Sequence, residues 1–169
     1  MDLNTKQEIL EVLTMPEETF WSQVAPAARE VCQKQFGTSL LVTAMLAYTN
    51  ICKNQCLYCG MRAGNKIPRY RMSPEEILPL AQRAREDGLG RMFLLAGEDQ
   101  NYGFEKLLTL IAGLRQQGYT IALGAGELSR TQYQELHDAG VEEYVLKFEM
   151  SHPDSFQRLN PSTTYAKRM

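Results

Sequence analysis

The chain has 169 residues, 44% apolar and 22% charged, which is enough to bury one ordinary globular core and excludes a disordered tail. Its 18 Lys and Arg against 20 Asp and Glu leave a formal net charge of −2, so it offers no broad basic field and no nucleic-acid partner is expected. The longest apolar stretch, LLVTAMLAY at 40–48, is about half of the ~20 residues a membrane span needs, and the first ten residues lack the layout of an export signal.

Residues 3–14 and 16–36 read as two helices, the second with apolar positions at Phe20, Val24, Ala27, Ala28 and Val31 and a stop at Gly37. Residues 1–37 are therefore expected to form an N-terminal helical segment. From residue 38 the texture changes, and SLLVTAMLAYTN reads as a buried strand running directly into a cysteine-rich loop. Ser73 then opens a helix with Pro74 at its first position and Glu76 completing a capping box, and Gly88 ends it. Pro79 lies inside that helix and should kink or shorten it.

The pattern then repeats. A strand RMFLLAGE precedes a helix over about 102–117, a strand YTIALGAGE precedes a helix over 130–139 set between Ser129 and Gly140, and a strand EEYVLKFE follows. A short helix, a break at Pro161 and the start of another helix close the chain. Strands alternating with helices of this length imply an α/β fold of right-handed βα units, with a parallel sheet buried on both faces. Three strands end on a carboxylate, Glu98, Glu127 and Glu149, as if facing a shared mouth at the C-terminal edge of a barrel-like sheet.

Cys52, Cys56 and Cys59 fall within eight positions, in a C-x-x-x-C-x-x-C pattern with Tyr58 before the last cysteine. With no export signal the expected compartment is the reducing cytoplasm, where clustered cysteines are metal ligands more often than disulfides. Structural zinc takes four ligands, and neither a second cysteine pair nor a nearby histidine is present, since His137 and His152 lie far along the chain. A [4Fe-4S] cluster held by three thiolates would leave one iron open to a small chelating molecule. The bland alternative is three thiols without a metal. Cys32, in REVCQKQF, reads as a packing residue outside the site.

This loop, on the first strand of a parallel α/β sheet, resembles that of the radical S-adenosylmethionine (radical SAM) superfamily. The resemblance implies a partial TIM-type (β/α) barrel of about four βα units behind N-terminal helices, with residues 38–169 as the radical SAM core. It also implies a [4Fe-4S] cluster on Cys52, Cys56 and Cys59, S-adenosylmethionine as second cofactor, and reductive cleavage of the latter to a 5′-deoxyadenosyl radical. LLAGED at 94–99 is similar to the superfamily's Gly-Gly-Glu strand end, which receives the cofactor's amino group, with Ala96 in place of the first Gly and Gly97 and Glu98 matching. LKFE offers Lys147 and Glu149 for the methionine carboxylate and the ribose, although Lys lacks the two-pronged fork of the Arg common in relatives. Tyr58 and Glu127 complete the cofactor-binding set that the resemblance suggests.

Within the superfamily, the paired leading helices, NICKNQCLYCGMR, NKIPRYRMSPEEI and YVLKFEMSHPDSFQRLNPSTTY look most like the [FeFe]-hydrogenase maturases that assemble the H-cluster. Biotin synthase needs further cysteines on later strands, and none follows Cys59. Methylornithine synthase shares KNQC and GED but lacks an acid at the third strand end, where this chain has Glu127. The implied partners are a small-molecule or iron-complex substrate and an electron donor such as ferredoxin or flavodoxin. Because such families have eight βα units in roughly twice this length, the chain is expected to be a fragment. A non-catalytic iron-sulfur carrier is the reading from another class, and it would have no need of Glu98, Lys147 and Glu149.

Overall fold

The computed structural model describes residues 3–169, which divide into two compact units, the first ending at Leu41 and the second Val42–Met169. In the first unit, α1 (Lys6–Thr14) is opened by a reciprocal capping box between Thr5 and Glu8. The expected single helix over 16–36 is one helical run with a defect: α2 (Glu17–Thr19), a π turn (Phe20–Val24) and α3 (Ala25–Phe36). Pro26 explains the defect. It has no N–H to donate to Ser22, and the Ala25 N–H reaches back to Phe20 instead, widening the turn. Gly37, at φ 63, ends the run, and none of these helices buries a described side chain fully.

The second unit holds a four-stranded sheet in the order β1 (Ala44–Thr49), β2 (Arg91–Ala96), β3 (Thr120–Gly124) and β4 (Val141–Tyr144), each parallel to its neighbour. The connecting helices are α4 (Pro74–Glu86), α5 (Phe104–Gln116) and α6 (Arg130–Asp138), and α7 (Pro153–Leu159) and α8 (Tyr165–Arg168) follow β4. The capping box expected at Ser73 is formed, and Ser129, expected to open α6, does so with a second box through Gln132. Pro79 does not shorten α4: it sits on an exposed face, where water can replace the donor that the Glu75 carbonyl loses.

Every strand is shorter than its apolar run suggested. Residues 39–43 find no partner, because β2 begins only at Arg91, opposite the start of β1. Beyond Gly124 the chain turns through Gly126 at φ 81, so β4 keeps a single further ladder bond, from the Val145 N–H to the Leu123 carbonyl. The sheet is likewise not buried on both faces. Met92, Leu94, Ile121 and Leu123 pack against Ile77, Leu107, Leu110, Ile111 and Leu114, whereas Met45 on the other face is 67% exposed.

Leu94, on a central strand and fully buried, should be the most sensitive position in this core. Leu94→Ala is expected to cost about 2–5 kcal/mol through lost burial and the cavity left behind. Urea unfolding of both proteins measures it, and a change under about 1 kcal/mol would mean that the sheet–helix interface is not the core.

Candidate functional site

β1 feeds residues 50–72, a loop without regular structure that returns to bridge Arg71 to Thr49. Its shape comes largely from Arg69, whose guanidinium donates to the carbonyls of Asn50 (2.6 Å), Met61 (2.8 Å), Arg62 (2.7 Å) and Asn65 (3.0 Å). On the other side the loop docks on the segment after α7. The Leu57 N–H donates to the Leu159 carbonyl (2.9 Å), the Gln55 N–H to Ser162 Oγ (2.8 Å), and the Tyr58 hydroxyl to Asn160 Oδ1 (2.6 Å). Asn160 is itself buried, so Tyr58 ties the cysteine loop to a fixed point.

The loop also meets the end of β2 at van der Waals limits. A Cβ on Gly97 would overlap the Ile51 carbonyl oxygen and lie 2.8 Å from Cys52 Cβ. The strand end hydrogen-bonds back at three places: Gly97 N–H to the Thr49 carbonyl (3.1 Å), Lys53 N–H to the Glu98 carbonyl (3.1 Å), and Glu98 N–H to Cys52 Sγ (3.4 Å). On its other side Glu98 lies where a Cβ on Gly126 would sit. Two glycines thus set the position of one carboxylate.

Cys52, Cys56 and Cys59 open on one cavity of about 400 Å³ that Glu98, Lys147, Glu149 and Arg168 also line. Burial pushes the Cys56 thiol up, only partly offset by Tyr58, and Tyr58 is itself pushed up to about 12, chiefly by burial. Among the described residues, no three His, Cys, Asp or Glu side chains converge on a single ion.

Arg168 is the main charged group that the sequence did not reveal. Only 7% exposed, its guanidinium lies 3.1 Å from Glu98 Oε1 and 2.9 Å from Glu127 Oε1, and donates to the Lys147 carbonyl at 3.1 Å. Lys53 Nζ lies 3.5 Å from Glu98 and Lys167 Nζ 2.7 Å from Glu127.

The sequence profile of the Radical SAM superfamily matches residues 46–169, the stretch that holds the cysteine loop and all the acids above. The chain belongs to the radical SAM superfamily. Members of that superfamily use a [4Fe-4S] cluster and S-adenosylmethionine. The chain is 31% identical over 166 residues to the [FeFe] hydrogenase maturase subunit HydE of Thermotoga maritima, covering 98% of this chain and 48% of the relative. It is 25% identical over 155 residues to 2-iminoacetate synthase of Escherichia coli K12, covering 91% and 41%. Among solved structures, methylornithine synthase (PylB) aligns with a TM-score of 0.89 over 97% of this chain and 50% of the other at 22% identity, which is a likeness of fold. The chain spans about half the length of the curated relatives it matches.

Of the residues read from sequence, the radical SAM fold brings Cys52, Cys56, Cys59, Tyr58, Gly97, Glu98, Lys147 and Glu149 to one cavity. Glu127 lies elsewhere: it lines a neighbouring cavity of about 300 Å³ and is held by Lys167, Arg168 and Thr163 Oγ1 (2.5 Å). Burial would raise its pKa, but these cations and the hydroxyl hold it below the usual carboxylate range. None of the three acids ends a strand. Glu98 and Glu127 stand on the loops after β2 and β3, and Lys147 and Glu149 lie past β4 on exposed chain, with Glu149 at φ 59.

Asp99 was also missed. Its side chain, 2% exposed, accepts both prongs of Arg71 (2.7 Å each) and the Thr49 hydroxyl (2.9 Å), clamping the β2 loop to the returning cysteine loop.

Gly97→Ala should force the cysteine loop off the β2 end and cost about 1–3 kcal/mol, read by chemical denaturation. Unchanged stability would show that the loop can back away freely. For Asp99, burial alone would raise the pKa, but Arg71 and Thr49 hold it below its ordinary value. A carboxylate lowered on folding contributes fully above its unfolded value of about 3.9, and the contribution is lost as pH falls through the lower folded value. Asp99→Asn is therefore expected to cost about 1–3 kcal/mol at pH 7 and to flatten the acid limb of the stability–pH curve. Parallel acid limbs in the two proteins would refute that role.

Proposed function

We propose that Cys52, Cys56 and Cys59 each bind one iron of a [4Fe-4S] cluster and that the adjoining cavity takes S-adenosylmethionine at the remaining one. The observation that carries this reading is the opening of all three thiols on the cavity that Glu98 and Arg168 share. The residues fit the pair: three thiols match three irons, and the cofactor's amino-acid end needs one acid and one planar cation. Once loaded, the pair supplies reductive cleavage of the sulfonium carbon–sulfur bond and so a 5′-deoxyadenosyl radical.

The protein's own part is to bind, orient and exclude water. Glu98 accepts the amino group, and Arg168 offers the two-pronged carboxylate contact that Lys147 cannot make. In the structure these two neutralise each other at 3.1 Å, so a zwitterion replaces one internal pair by two and leaves no buried charge unpaired. Leu95, Ala96, Gly124 and Val145 form an apolar wall that limits water.

For the whole protein we infer a cytoplasmic radical SAM enzyme of [FeFe]-hydrogenase H-cluster maturation, acting on a small-molecule or iron-complex substrate and reduced by a donor such as ferredoxin or flavodoxin. The 31% identity spread over 98% of this chain supports that choice over the 2-iminoacetate synthase relative at 25%. The absence of any cysteine after Cys59 weighs against a biotin synthase-like reaction in this half of the barrel. Glu127 no longer discriminates, since its carboxylate is already held by Lys167, Arg168 and Thr163.

Anaerobic reconstitution should give an oxygen-sensitive four-iron cluster that is lost in Cys52→Ala, Cys56→Ala and Cys59→Ala and kept in Cys32→Ala. Full iron content in Cys56→Ala would remove the central claim. Glu98→Gln should keep the cluster and weaken S-adenosylmethionine binding about ten- to a hundred-fold, the worth of a charge-assisted buried contact. Equal affinities by titration calorimetry would show that the carboxylate does not receive the amino group.

A further inference from the structure

We propose that the neighbouring cavity of about 300 Å³, on the helix side of the sheet, is a second ligand site that takes a small oxyanion, a carboxylate or a phosphate, and that its occupancy tightens cofactor binding through the shared Glu98. The coupling rests on the cofactor reading above, whereas the anion site itself does not.

The cavity lies beyond the carboxyl ends of β2 and β3, where the βα loops meet the N-terminus of α5. No side chain caps that helix: Gly103 stands at the N-cap with φ 91, and its carbonyl takes the Leu107 N–H (3.1 Å). The amides of Phe104, Glu105 and Lys106 therefore have no intrahelical acceptor, and they add to the positive end of the helix dipole. Two tyrosines point the same way. Tyr102 lines the cavity at 5% exposure with a buried hydroxyl that has no partner, and Tyr48 lines it at 3% with a hydroxyl that donates to none of the described residues. Their rings lie 4.6 Å apart. Burial pushes Tyr102 up to about 12 and raises Tyr48 as well, so both are protonated donors at neutral pH. A buried hydroxyl without an acceptor is costly, and an oxyanion, which only accepts, removes that cost.

Three carboxylates also line the cavity, yet their charge does not oppose an anion. Glu98, Asp99 and Glu127 are engaged by four cations, Lys53, Arg71, Lys167 and Arg168, which leaves this set at +1. Of the four, Lys53 is the one that itself lines the cavity, and with a side chain 38% exposed it holds Glu98 loosely, at 3.5 Å. An oxyanion beside it draws Nζ away from Glu98 and leaves Oε2 to the cofactor's ammonium group. In the reverse direction an ammonium group on Glu98 displaces Lys53 toward the anion, so each ligand favours the other by the same factor. Gly97 and Glu98 line both cavities, which gives the two sites a common wall.

Anion binding is measured first on the full chain without a cluster, by thermal shift and calorimetry with sodium phosphate, sodium acetate and, at matched ionic strength, sodium chloride. Phosphate or acetate should raise the melting temperature saturably above its value in chloride, and the more effective of the two gives the ligand class. Tyr102→Phe should weaken that binding about ten-fold, the worth of one hydrogen bond to a charged group, without lowering stability in chloride, since it breaks no hydrogen bond of the free protein. Should that variant not fold, Gln100→Glu, which adds a negative charge at an exposed lining position, is expected to weaken binding to a similar degree. Equal responses to the three salts, or an unchanged anion affinity in the folded variant, would overturn the site. In the reconstituted protein, saturating anion should then tighten S-adenosylmethionine binding about five-fold in the wild type and leave it unchanged in Lys53→Met. No tightening in the wild type would overturn the coupling. A chain that binds the anion but, with a full cluster, takes up no S-adenosylmethionine would overturn the cofactor reading instead.

Discussion

The constraint on which the second unit's site depends is the approach of Gly97 to the Ile51 carbonyl, where no side chain fits. It sits at the point where β1 and β2 stop pairing, just after a register shift between Ala47 and Thr49. Because the Gly97 and Glu98 amides and the Glu98 carbonyl all bond to residues 49–53, the register of two strands decides where Cys52 lies relative to Glu98. The cysteine loop and Glu98 are therefore placed by backbone, which neither rotamer freedom nor solvent can loosen cheaply. Gly126 repeats the device on the far side of Glu98.

Around that backbone joint lies a compensated set of charges. Glu98 and Glu127 face Lys53, Lys167 and Arg168. Arg168, the most enclosed of the cations, bridges both acids, and a guanidinium tolerates such a position because its charge is delocalised and weakly hydrated. Partial burial makes each of these pairs costly to break singly and easy to exchange for another of the same sign. A site that admits and releases a zwitterion, as proposed above, would need that property.

Much of this was readable in the sequence where cause and effect are close together. The capping box at Ser73, the helix start at Ser129 and the stop at Gly37 are set within a few residues, and the structure places them as expected, whereas Gly97 and Glu98 fall on the loop after β2 and not on the strand. The cysteines are close in sequence for the same reason that they are close in space. Strand ends were misjudged because apolar runs such as SLLVTAMLAYTN report burial and β propensity, whereas a strand ends where its neighbour does. Arg168 and Asp99 were invisible because the side chains they pair with, Glu98 at 70 residues for one and Arg71 at 28 for the other among them, are distant in sequence, and no local pattern encodes such pairs. The π turn did have a local signal, Pro26 inside a helical run, and it was overlooked there while Pro79, on an exposed face, was overweighted.

Glu98 and Glu127 show why position after a strand does not by itself give function. Both follow parallel strands by a few residues and both touch Arg168, yet only Glu98 opens on the thiol cavity. The difference lies in what else each meets. Glu98 has the cysteine loop on one side and Gly126 on the other, and its cationic neighbours are a partly exposed Lys53 and the shared Arg168. Glu127 is closed in by Lys167 and Thr163 as well as Arg168. If, as proposed, a ligand carboxylate draws Arg168 toward itself, Glu127 would stay compensated by Lys167 and the Thr163 hydroxyl, while Glu98 would be freed to accept an ammonium group. On that reading Glu127 would be the counter-ion that keeps Arg168 in place between ligands, and Glu98 the acid that the ligand meets.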